Sequence, residues 1–174
     1  MNFYEMLCIP VILFPYSVLG MLYCLFSGTL MESVFQNNGF LCILALLAWA
    51  LIGFACAFLV GIRGARTLDC LRFARFAMIL KLAQIPAYCI IFVLAALFSL
   101  TIFTIGFTIA LAFFDGIAIL MTGIPGVFSI RKSYQSGVLL RSDCLIHSLL
   151  QFVFCADVVS SIYLYRKIKR TSTG

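Results

Sequence analysis

The sequence predicts an all-α fold, a multi-pass transmembrane helical bundle with about five membrane helices, and three observations carry that prediction. Hydrophobic residues make up 64% of the chain and charged residues only 10%, against roughly 45–50% and about 25% in a soluble domain. The apolar residues form runs as long as the roughly 20 residues that cross a bilayer core about 30 Å thick. The basic residues gather between those runs and leave their interiors almost free of charge. A chain of 174 residues built this way is filled by its crossings, so a single transmembrane domain over 1–174 is expected.

The first membrane helix is read over 6–31, where no charged residue occurs, with Pro10 and Pro15 kinking it near its start. Its leading stretch MNFYEMLCIP carries Glu5 and no Lys or Arg. It therefore lacks the positive region of a secretory signal, and VLGMLYC lacks the small residues of a cleavage site. The segment is expected to stay as a membrane helix. Glu32 and the turn-forming Gln36-Asn37-Asn38-Gly39 follow it. The second helix is expected over 40–62, around Trp49.

In GIRGARTLDCLRFARFA, Arg63, Arg66, Arg72 and Arg75 face a single Asp69, the mark of a cytoplasmic loop under the positive-inside rule. The N-terminus is then cytoplasmic and the Gln36–Gly39 turn outside. From Leu82 to Ile130 there is one charge, Asp115, in a run too long for one crossing. Two helices are therefore expected, over 71–98 with a bend at Pro86 and over 101–129, with an uncharged outside turn near Ser99 to Thr101. Arg131 and Lys132 open a second basic loop that runs to Arg141 and Asp143. The fifth helix is expected over 144–165, ending in Tyr163, Tyr165 and the basic run RKIKR, an interfacial anchor of the cytoplasmic side.

These readings conflict. Five crossings from a cytoplasmic N-terminus put the tail outside, whereas its basic residues place it inside. Either the last helix does not fully cross, or residues 82–130 cross once with a re-entrant piece, or the N-terminus faces out. The parity of the last helix stays open at this point.

The blocks FPYSVLG, MESVFQNNGF, KLAQIPAY, TIFTIGFTIALAFFD and QFVFCADVVSSIYLYRKIK resemble a family of small multi-pass bacterial membrane proteins catalogued as a domain of unknown function. The resemblance covers nearly the whole chain. It implies a bacterial protein of the cell membrane and no particular activity.

Polar residues inside apolar helices are costly and mark sites of contact or function. Thr101, Thr108, Asp115, Thr122 and Ser129 recur every seven residues, and a drift of about 20° per heptad keeps them on one side of a helix. That side is expected to face protein or water, with the hydroxyls serving either as interhelical glue or as part of a path. Asp115 lies mid-helix and needs a partner, a proton or water. The last segment adds Asp157 with His147 and Gln151 at i, i+4 spacing, and Ser161 one turn beyond Asp157. Lys81 and Gln84 form a further pair at i, i+3; Lys81 either reaches the same interior or snorkels to the headgroups. Together Lys81, Gln84, Thr108, Asp115, Thr122, His147, Gln151 and Asp157 are the candidate intramembrane polar cluster, and Asp115 is expected to lie within hydrogen-bonding or water-bridging reach of Lys81, Gln84, Asp157, His147 or Gln151.

Catalytic and cofactor chemistry finds little to build on. His-Glu-x-x-His, Gly-x-Ser-x-Gly and Walker A patterns are absent, and one histidine serves poorly as base or ligand. The eight cysteines include no Cys-x-x-Cys pair and read as small hydrophobes. Gly61, Gly64, Gly123 and Gly126 read as close helix packing or turns. An aspartate-pair protease would set Asp115 against Asp157, but the Gly-x-Gly-Asp element is missing. No catalytic residue, metal ligand or cofactor is therefore assigned, and the chain is read as a non-enzyme. Its 18 Phe lie inside apolar runs and not between exposed cations, which argues against a nucleic-acid partner.

Two functions remain. One is an accessory, sensor or immunity-type subunit that contacts another membrane protein, or a second copy of itself, through helix faces. The other is a small proton-, cation- or solute-translocating protein that uses Asp115 and Asp157.

Overall fold

The computed structural model describes the backbone of residues 3–173 and the side chains of residues 6–171. Met1, Asn2 and Gly174, the ends of the expected single domain, lie outside the described residues. The described chain is an all-α bundle without strands. Its order is α1 (Phe3–Phe26), α2 (Gly28–Phe35), α3 (Gly39–Thr67), α4 (Cys70–Leu82), α5 (Ile85–Phe98), a 3₁₀ turn (Ile102–Thr104), α6 (Ile105–Gln135), α7 (Arg141–Leu150) and α8 (Ala156–Thr173). Four stretches among the described residues are long and apolar enough to cross a membrane: Met6–Phe26, Gly39–Thr67, Cys70–Phe98 and Ile102–Gln135.

The first turn forms as the sequence requires, by slightly different residues. Gln36 and Asn37 take left-handed backbone conformations at φ 51° and 60°, which Asn tolerates better than most residues. Asn38 then caps α3, its Oδ1 accepting from the Phe40 N–H at 3.0 Å. The helix expected over 71–98 is interrupted at Ala83 and Gln84, just ahead of the bend expected at Pro86. Proline has no N–H to give, and it disfavours the α conformation of the residue before it. The helix expected over 101–129 begins at Ile105 and runs on to Gln135, so Thr101 stands before it and Arg131 and Lys132 sit in its last turns.

The segment expected as a continuous fifth helix over 144–165 is divided. Between Leu150 and Ala156 the chain turns back, with Cys155 in the left-handed region at φ 62°. The arms α7 and α8 lie side by side: His147 Nδ1 and Ser160 Oγ share a hydrogen bond at 2.9 Å, and Lys167 Nζ donates to Asp143 Oδ2 at 2.6 Å. This is a helical hairpin whose two ends emerge on one side.

The core lies where α1, α3, α5 and α6 meet, around Val11, Phe14, Ala57, Val60, Ile91, Ala118 and Met121. Glycine sets the close approaches. A Cβ at Gly53 would meet Met121 Sδ at 2.8 Å, and one at Gly61 would meet the Phe128 ring at 2.5 Å. The expected packing role of Gly61 is thus explicit, and Gly64 plays it against Phe73.

Candidate functional site

The break between α4 and α5 and the hairpin apex meet at one level, and Lys81, Gln84, Gln151 and Asp157 of the expected polar cluster meet there. Lys81, in the last turn of α4, is 1% exposed, and Asp157, in the first turn of α8, is 2% exposed. Lys81 Nζ donates to Asp157 Oδ2 at 2.9 Å and to the Gln151 carbonyl at 3.3 Å. Lys81 therefore does not snorkel; it closes an ion pair with the hairpin. A buried ammonium keeps its charge only when its donors are met by such partners.

Gln151 extends the contact. Its Nε2 donates to Ser160 Oγ at 3.4 Å and its Oε1 accepts from Ser161 Oγ at 3.3 Å. Ser161 Oγ also donates to the Asp157 carbonyl at 2.8 Å. Gly126 of α6 leaves room for the Gln151 amide, and Gly123 leaves room for Phe152, whose ring a Cβ would meet at 2.5 Å. The pair Gly123 and Gly126 is thus the notch into which the hairpin apex fits.

Gln84 works on the other side of the break. Pro15 in α1 cannot donate to the Val11 carbonyl four residues back, and Gln84 Nε2 supplies the missing donor at 2.6 Å. Tyr88 donates its hydroxyl to Gln84 Oε1, and Tyr16 donates to the Ala83 carbonyl at 2.7 Å. Breaks in three helices are thereby satisfied by each other's side chains, as apolar surroundings demand.

The seven-residue stripe is only partly interior. Thr101 is exposed, Thr108 and Asp115 are half-buried, and Thr122 and Ser129 are buried. Thr108 Oγ1 donates across to the Ala95 carbonyl of α5 at 3.1 Å, a direct case of interhelical glue. Thr122 instead bonds back within α6, to Ala118 and Ile119. In the antiparallel register set by Thr108 and Ala95, Asp115 lies level with Tyr88, two helical turns from Lys81.

Asp115 makes no direct hydrogen bond to the groups expected near it. None of Lys81, Gln84, Asp157, His147 or Gln151 is hydrogen-bonded to it; its Oδ1 is buried with no hydrogen-bond partner among the described residues, as is Trp49 Nε1. Lys81 has been taken by Asp157, and Gln84 by Val11 and Tyr88. Asp157, the other carboxylate of the aspartate pair considered above, is engaged by Lys81. No group of three His, Cys, Asp or Glu suited to a metal occurs among the described residues.

At the open end of the hairpin the polar contacts are wetter. The hydrogen bond from Lys167 holds the Asp143 carboxyl below its ordinary value and raises the Lys167 ammonium. The His147 imidazole shares a hydrogen bond with Ser160 at 2.9 Å and stacks on the Tyr163 ring, centroid to centroid 5.2 Å. Every Lys and Arg except Lys81 lies at this end of the bundle: Arg63 and Arg66 at the close of α3, Arg72 and Arg75 at the start of α4, Arg131 and Lys132 at the close of α6, Arg141 at the start of α7, and the cations of the α8 tail. Lys132 also caps α3, its Nζ donating to the carbonyls of Ala65 and Leu68.

Tyr88, Tyr16 and Ser160 are members of the site that the sequence reading passed over. Tyr88 carried a signal, since it stands four residues from Gln84 on a helix. Ser160 and Tyr16 carried none without the hairpin.

Residues 2–170 match a family described as "Family of unknown function (DUF6652)". Neither the curated proteins nor the solved structures give a match.

Proposed function

Starting from the chain's membership of the DUF6652 family, we propose that it is an integral membrane protein of four crossings that serves as an accessory, sensor or immunity-type subunit through helix contacts. The carrying observation is the buried Lys81–Asp157 pair, which spends the polar interior on holding the chain's own hairpin. Four crossings and a re-entrant hairpin return both termini to one side. All of the basic clusters then share the cytoplasmic face, in agreement with the positive-inside rule. Of the routes out of the parity conflict, this is the one in which the last helix does not fully cross.

The hairpin also offers an outward face. Leu145, Ile146 and Leu149 of α7 are all more than half exposed, at the spacing by which one helix meets another. Another membrane protein or a second copy of this chain is the partner this face fits, within the lipid bilayer of a bacterial cell. The reading involves no catalytic step, cofactor or nucleic acid.

A second reading, translocation of a proton, cation or small solute, draws on the unpartnered Asp115 oxygen. An unmet carboxylate oxygen in apolar surroundings is costly and is met by a proton, water or solute. Two measurements separate the readings. A photo-cross-linker at Leu145 or Leu149 in native membranes is expected to give a discrete protein adduct, and Asp115→Asn is expected to leave assembly and vesicle permeability unchanged. Adducts to lipid alone, together with ion or solute flux that Asp115→Asn abolishes, would overturn the accessory reading in favour of translocation.

A further inference from the structure

The hairpin is undercut on the side away from the basic end. A cavity of about 500 Å³ lies between α5 and the apex, lined by Ile85, Tyr88, Phe92, Phe154, Val158 and Val159 together with Cys89, Cys155 and Asp157. A second, of about 360 Å³, lies beneath Phe152 on the flank of α6. The larger one falls within the roughly 300–1,000 Å³ of small-molecule sites. Phe92 and Val159 are each about two-thirds exposed, so it opens sideways and not toward either end of the bundle.

The polar atoms in its wall are already committed. The Tyr88 hydroxyl donates to Gln84 and the Asp157 carboxylate holds Lys81. What remains facing the opening is hydrocarbon, ring and thiol surface, which selects an apolar occupant.

Depth selects among apolar occupants. Lys81 stands eleven residues along from Cys70, roughly 16 Å from the basic end at about 1.5 Å per residue. That is about half of a hydrocarbon core roughly 30 Å thick. The hairpin fills the half nearer the basic end, and the slot occupies the other. A partner's crossing helix, about 10 Å wide and running the full depth, would meet α8 above the slot. A single acyl chain spans one leaflet and ends near the midplane, where the slot ends under the apex.

We infer that this slot is a binding site for one acyl chain of a phospholipid drawn from the leaflet opposite the basic end. The inference rests on the proposed membrane embedding and four-crossing topology. It adds a ligand class to the hairpin, because a chain seated under the apex supports the residues that present Asp157 to Lys81.

The test uses the full chain in vesicles of phosphatidylethanolamine and phosphatidylglycerol doped with a phospholipid bearing a photoactivatable group near the end of its acyl chain. Adducts are mapped by mass spectrometry. They are expected to be several-fold enriched in residues 85–92 and 153–159 over the exposed α3 face around Leu51. Cys89→Trp, which fills the slot from α5, is expected to remove the enrichment at 153–159 and leave Leu51 labelled. Val159→Trp, which fills it from α8, should do the same at 85–92, so that misfolding of one variant does not decide the outcome. Equal labelling of slot and Leu51 face, or labelling at Leu51 alone, would overturn the slot while sparing the membrane reading. Absence of labelling at both would overturn the membrane reading as well.

Discussion

On one flank of α6, Gly53 and Gly61 of α3 let Met121 and Phe128 come against the backbone. On the other flank, the hairpin is held by the Lys81–Asp157 pair and by hydrogen bonds through Gln151, Ser160 and Ser161. The first seam is dispersion between close surfaces, spread over many small contacts. The second concentrates its energy in a few polar groups that are costly to leave unmet. The difference predicts how each seam fails: the glycine seam degrades by increments of volume, and the hairpin seam fails when one partner of the pair is lost.

The largest expected effect therefore comes from splitting the pair. Lys81→Met or Asp157→Leu alone leaves a buried charge without its partner, which costs on the order of 3–5 kcal/mol. The double variant Lys81→Met/Asp157→Leu removes both charges and should recover most of the loss. The measure is the detergent or thermal resistance of the purified protein across this double-mutant cycle. Additive losses would show that the two groups do not act together.

A smaller effect is expected in the glycine seam. Gly61→Ala sets a methyl into the space of the Phe128 ring, and overpacking of this kind costs about 1–3 kcal/mol. Truncating the obstacle in the pair Gly61→Ala/Phe128→Leu should restore part of it, as read by the same resistance assay. A Gly61→Ala loss as large as that of Lys81→Met would erase the distinction between the seams.

The two seams also differ in how far the sequence discloses them. The helices over 40–62 and 101–129, and the packing role of Gly61, follow from hydropathy and residue size, because apolar runs and small residues act locally. A bend at Pro86 was readable, since proline lacks the N–H of the helix ladder; that the chain breaks there was not, because Pro10, Pro15 and Pro125 stand inside continuous helices. Nor was the hairpin. Gln151 to Cys155 contains neither Gly nor Pro, and Cys155 adopts φ 62°, a conformation that costs a residue with a Cβ roughly 1–2 kcal/mol. That local cost is offset by contacts distant in sequence: Lys81 with Asp157, and Gly123 and Gly126 with the apex.

Asp115 illustrates the same limit. Its seven-residue stripe runs along a side of α6 that is half-buried at Thr108 and Asp115 and buried at Thr122 and Ser129, but periodicity says nothing about competition for partners. Lys81 and Gln84 were both within plausible reach, and each is engaged elsewhere, by Asp157 and by the Val11 carbonyl that Pro15 leaves open. The polar residues were legible as a set, and their pairing depended on a fold-back that leaves no local mark.

The central claim, that the last segment enters and returns on the side of the basic loops, is tested most directly by sidedness. In a background freed of native cysteines, single cysteines at Asn38, Arg72 and Thr171 are treated with a membrane-impermeant thiol reagent in intact and in permeabilised cells. Labelling of Asn38 in intact cells, with Arg72 and Thr171 labelled only after permeabilisation, is the predicted result. Labelling of Thr171 together with Asn38, and apart from Arg72, would mean that residues 144–165 cross the membrane and would contradict the account.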